Sequence, residues 1–156
     1  MPVLFSKLLM QRSRCSYEEQ LSVFTLIETF VALTSICQNY GTLSLEDMIW
    51  TPNTYSLDKT LSPEQYQKLQ FILTLVLDGR APRVIEEIGL IYISKRKKGL
   101  SLLQDMIILE GALCCTLRHS LYDTRIFLHR LLDAPLNHPD TAARHWMESH
   151  TSNTHH

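Results

Sequence analysis

The stretch YEEQLSVFTLIETFVALTSICQNYG, residues 17–41, decides the fold class. Ser16 stands before it and Glu19 three residues on, the capping-box pattern that opens a helix. Gly41 follows the last apolar residue, where a C-terminal cap belongs. At about 100° per residue, Thr25, Glu28, Thr29, Ala32 and Ser35 form one narrow polar face. Leu21, Phe24, Ile27, Phe30, Val31, Leu33 and Cys37 spread over the rest. A helix apolar over so much of its girth needs more than one neighbour, so it is expected at the centre of a helical domain.

The rest of the chain repeats the theme. LSLEDMIW reads as a short helix capped by Ser44 and stopped by Pro52, and TPNTYSLDKT as a loop. Ser62, Pro63 and Gln65 make the strongest helix start, with Tyr66, Leu69, Ile72, Leu73 and Val76 as its core stripe and Gly79 as its stop. In residues 81–99, Val84, Ile85, Ile88 and Ile91 suit a helix. GLIYIS has strand-like composition, but no clear strand partner exists elsewhere, so helix is preferred. Residues 100–118 align Leu102, Met106, Leu109, Leu113 and Leu117, and Ser120 with Asp123 restarts a helix that reaches Leu132. Only 5 glycines occur in 156 residues. That disfavours glycine-dependent barrels, sandwiches and phosphate-cradling loops. The expected architecture is all-α: a compact single-domain bundle of about five to seven helices with flexible termini. Residues 1–14 form a basic amphipathic segment, 15–134 the core, and 135–156 a proline-broken short helix and His-rich tail.

GALCCTLRHSL, residues 111–121, raises the question of chemistry. On a continuous helix Cys115 and His119 share a face, but a structural zinc site wants four ligands and no CxxC, HxxxH or HExxH is present. Ser120, His119 and Asp123 lack a nucleophile elbow. The expectation is a buried helix with a polar edge, and a chain with no catalytic residues, cofactor or metal. The cysteines Cys15, Cys37, Cys114 and Cys115 do not form a secreted disulfide framework, which points to a reducing, cytoplasmic setting. No long run is apolar throughout, so no membrane span is expected.

Charge supplies the functional expectation. The net charge is -1, but it is segregated. Lys7, Arg12 and Arg14 precede the first acid, residues 15–58 hold six acids and no base, and residues 80–98 hold six bases and two acids. Arg80, Arg83, Lys95, Arg96, Lys97 and Lys98 are therefore expected to form a basic interaction patch, and Trp146 an interface anchor. The leading expectation is a small non-enzymatic adaptor or regulatory protein whose partner is a protein with an acidic surface, with a homodimer as a further possibility. One alternative is a DNA-binding regulator, with a helix–turn–helix-like outline over 80–98 that turns at Gly89. Another is a membrane-associated accessory protein using residues 3–14.

Overall fold

The computed structural model describes residues 7–50, 61–93 and 97–132. Residues 51–60, which the sequence reads as a loop, residues 1–6 of the expected basic N-terminal segment, Lys95, Arg96, Trp146 and the expected tail from 133 lie outside the described residues. The elements are α1 (Lys7–Arg12), α2 (Tyr17–Ser22), α3 (Phe24–Tyr40), a 3-10 turn (Thr42–Leu45), α4 (Glu46–Trp50), α5 (Pro63–Leu77), α6 (Pro82–Tyr92), α7 (Gly99–Thr116) and α8 (Leu121–His129). No strand occurs among them, and the fold is an all-α bundle.

Local signals set the helix starts. Ser16 accepts from the Glu19 amide while Glu19 accepts from the Ser16 amide. Ser62 and Gln65 repeat this reciprocal cap, with Pro63 at the first helical position. Ser120 accepts from the Asp123 amide at the head of α8. Each cap satisfies amides that the first helical turn leaves without partners.

Two local expectations shift. The single helix expected over 17–41 is interrupted at Val23, where the amide bonds back to Gln20 at 3.3 Å and α3 begins anew. Ser44 is not a cap. Its hydroxyl donates to the Gly41 carbonyl inside the 3-10 turn, and Gly41, at φ 86°, starts that turn.

The centre of the bundle is α7 rather than α3 alone. Residues Leu102, Leu103 and Asp105–Cys115 of α7 are all buried. This helix packs against α3, α5, α6 and α8, whereas α3 packs on α2, the 3-10 turn, α7 and α8. The stripe from Leu102 to Leu113 is in the core, but Leu117, past the helix end, is 42% exposed. The Tyr17–Tyr40 and Gly99–Thr116 stretches are long and apolar enough to cross a bilayer by length and composition. They are 56% and 72% buried within this bundle.

The polar edge of α3 is also employed. Arg125 of α8 grips Glu28 with two parallel bonds of 2.9 Å, from Nε and from Nη2. Bidentate pairing of this kind fixes orientation as well as charge. Phe24 of α3 meets the His129 ring edge-on at 5.2 Å beside it.

Candidate interaction surface

Two basic segments that are far apart in sequence meet in space. Leu9 and Met10 seat α1 on the core, so these apolar side chains are turned toward protein. Ser13 is buried and its hydroxyl donates to the Met10 carbonyl at 3.0 Å. From that seat Arg12 Nη2 donates to the Lys97 carbonyl. The Arg14 carbonyl faces Gly99, where an added Cβ would lie 3.9 Å away. Gly99 itself has φ 63°, a backbone turn that lets residues 97–98 lead into α7.

Beneath this junction lies a buried carboxylate. Asp105 accepts from Lys97 at 2.9 Å and from Lys68 at 3.1 Å through the same oxygen. Gln65 reaches its other oxygen at 3.5 Å and also donates to Gln104 at 2.9 Å. Both lysines also lie within 3.5 Å of the exposed Glu64. Partial burial opposes the charged form of Lys97. Its contacts with Lys68 and Asp105, together with the charges of Asp105 and Glu64, outweigh that burial and raise its pKa. The carboxylate is the physical cause, since Lys68 is itself a cation held by the same oxygen. The Glu64 carboxyl is lowered by its bond to Lys68 and by the charge of Lys97.

Asp105→Asn is expected to cost about 2–3 kcal/mol. Removing one partner of a buried ion pair costs about 3–5 kcal/mol, less here because both lysines retain some access to water. A lower denaturant midpoint at unchanged slope checks it.

The junction borders an apolar strip. Val84, Ile88 and Ile91 recur at helical spacing on the outer side of α6, and Ile91 is 80% exposed. Tyr92 stacks obliquely on Phe71 of α5 at 4.8 Å between ring centres. Tyr92, Ile93, Lys68 and Asp105 line one small cleft with room for about one water. The C-terminal end of α6, at Tyr92 and Ile93, therefore shares a wall with Lys68 and Asp105.

The residues expected from sequence are divided. Lys97 is half-buried on Asp105, and Lys98 is exposed beside it. Arg80 and Arg83 are exposed at the opposite end of α6, about 15 Å away at 1.5 Å per residue, with Arg83 paired to Glu87 at 3.2 Å. Lys95, Arg96 and Trp146 lie outside the described residues. Helix α6 runs unbroken through Gly89, which packs against Leu109, so the turn expected there for a helix–turn–helix is not formed. Arg12, Arg14, Lys68, Ile91 and Tyr92 were missed as site residues. The three acid-free bases of the N-terminus were the one signal that pointed to Arg12 and Arg14.

The Cys115–His119 face does not form either. Helix α7 ends at Thr116, and the His119 ring instead packs on Phe127 at 5.0 Å. Among the described residues, no group of three or more His, Cys, Asp or Glu side chains is placed to hold a metal ion. No protein-family model, curated protein or solved structure matches this chain.

Proposed function

We propose that this chain is a small non-enzymatic adaptor or regulatory protein that uses a basic, partly apolar surface to bind a partner protein whose own surface is acidic. The observation that carries this reading is the cleft that Tyr92, stacked on Phe71, shares with Lys68 and with Asp105, the carboxylate that also holds Lys97. Lys68 and Lys97 are both paired with Glu64 and Asp105, and Lys98 is exposed beside them. An apolar anchor beside a charged rim is the arrangement that gives protein interfaces affinity and orientation together. The buried Asp105 holds Lys68 and Lys97 in place, which limits the entropy lost on binding.

Ile91→Glu and Lys98→Glu test the assignment, because both positions are exposed and neither substitution disturbs the core. Each is expected to weaken retention of a partner co-purified from the source cells at least about tenfold, with unchanged thermal stability. Retention equal to wild type in both variants would remove this surface from consideration. Light scattering on the purified chain separates a homodimer from a foreign partner. Salt-sensitive retention on duplex DNA would favour a nucleic-acid partner instead.

A further inference from the structure

The most exposed large apolar side chains fall in two places. Among the described residues, Ile91, Tyr40, Trp50 and Leu43 lead, at 80, 79, 75 and 73% exposed. Ile91 stands beside Tyr92 at the C-terminal end of α6. The other three lie at the end of α3, in the 3-10 turn and at the end of α4.

That second place is a docked element. Residues 42–50 follow one helical path, since Glu46, where the turn passes into α4, has φ -58° and ψ -41°. Leu45 and Ile49, four apart, are buried and fix its inner side. Leu43, Glu46, Asp47 and Trp50 recur at helical spacing on the outer side, and all four are exposed. Gln70 of α5 ties down the end of α4 by donating to the Ile49 carbonyl at 3.0 Å. Residues 15–50 contain no base, so the stretch that carries Glu46 and Asp47 is acidic throughout. Arg118 borders it at one end, with Nη2 3.8 Å from where a Gly41 Cβ would stand.

Helix α5 separates this acidic face from the basic surface. At about 100° per residue, Gln70 and Lys68 lie on opposite sides of it. Gln70 bonds α4, whereas Lys68 bonds Asp105 and shares a cleft with Tyr92. Between the two flanks runs an exposed ridge of Gln67, Phe71 and Thr74. One flank thus presents Leu43, Trp50 and two carboxylates. The other presents Ile91, Tyr92 and Lys98, with Arg12 held on the Lys97 carbonyl.

We propose that these two flanks cover each other in a dimer of this chain, about a two-fold axis parallel to α5. Rotation about that axis sets the acidic face of each copy against the basic flank of the other, and it does so twice in one closed pair. A two-fold axis running across α5 would instead set acid on acid and base on base. Charge complementarity selects the first arrangement and rejects the second. Trp50 and Tyr92 supply aromatic anchors of the kind that carry interface energy. The dimer rests on the basic surface assigned under Proposed function, and it makes a second copy the acidic partner.

Sedimentation velocity on the full chain tests this. The wild type is expected to pass from monomer to dimer as concentration rises, and the dimer to weaken as salt is added. Asp47→Lys and Lys98→Glu, both at exposed positions, are each expected to raise the dissociation constant at least about tenfold with unchanged thermal stability. Mixed in equal amounts, the two variants are expected to restore a one-to-one dimer, because each reversed charge then faces the other. A chain that stays monomeric at every concentration, or a mixture that associates no more tightly than the separate variants, would overturn the dimer. Capture of a foreign protein is judged apart from it, since Asp47→Lys leaves the basic surface intact. A monomeric chain that loses a captured partner through Lys98→Glu and keeps it through Asp47→Lys overturns the dimer and leaves the reading under Proposed function standing. A dimer that behaves as expected and captures no other protein supports the second copy and counts against a foreign partner.

Discussion

Glu110→Gln is expected to stabilise the protein above neutral pH by about 3 kcal/mol and to flatten its stability between pH 4.5 and about 7. Glu110 lies in the most buried stretch of α7, and among the described residues its Oε2 has no hydrogen-bond partner. Burial pushes its carboxyl up to about 7; the charge of Glu86 on α6 adds to this and Arg130 after α8 opposes it. The native state therefore holds a proton that the unfolded chain releases at ordinary carboxyl pH. Its contribution is fully present below about 4.5 and is lost as pH rises through about 7. Glutamine keeps the shape and never ionises, so the variant and wild type should agree most closely in acid and separate on the alkaline side. Denaturant midpoints across that range measure the effect, and parallel pH profiles for the two proteins would refute it.

Gly111→Ala is expected to destabilise the bundle by about 2 kcal/mol. Alanine gains about 1 kcal/mol over glycine in a helix, but overpacking a tight core costs about 1–3 kcal/mol or more. The added Cβ would meet three atoms of the Phe30 ring at under 3.0 Å. Phe30 is itself fully buried, so its ring has no empty space to turn into. Phe30→Leu creates room and alone loses packing. Combined with Gly111→Ala it is expected to recover part of the loss, giving a favourable coupling in a double-mutant cycle. Additive losses would show that the two residues do not compete for one space.

The functional surface was legible only in fragments. Lys97 and Lys98 stood out because four consecutive bases are visible in a linear reading. Arg12 and Arg14 stood out as a separate block, and nothing local indicates that α1 docks beside residues 97–99. Arg80 and Arg83 are near Lys97 in sequence, but the intervening helix places them at its other end. The outer stripe of α6 was likewise unreadable. Val84, Ile85, Ile88 and Ile91 are all apolar, yet Ile85 enters the core while Ile91 is exposed, and only the position of α7 separates them.

Sequence by itself determined where helices begin and that the domain is helical. Ser16, Ser62 and Ser120 form their caps with residues three positions away, so these contacts need no tertiary partner. The wide apolar girth of residues 17–41 and 99–116 required a packed bundle for the same local reason. Tertiary structure alone decided which polar groups that bundle encloses. Asp105 is bonded by lysines from α5 and from the turn before α7, while at Glu110 burial outweighs the charge of Arg130 and pushes the carboxyl up to about 7. Cys115 shares a sequence face with His119, but α7 ends at Thr116 and the His119 ring packs on Phe127 instead. These outcomes depend on residues of other elements, and a local pattern carries no information about them.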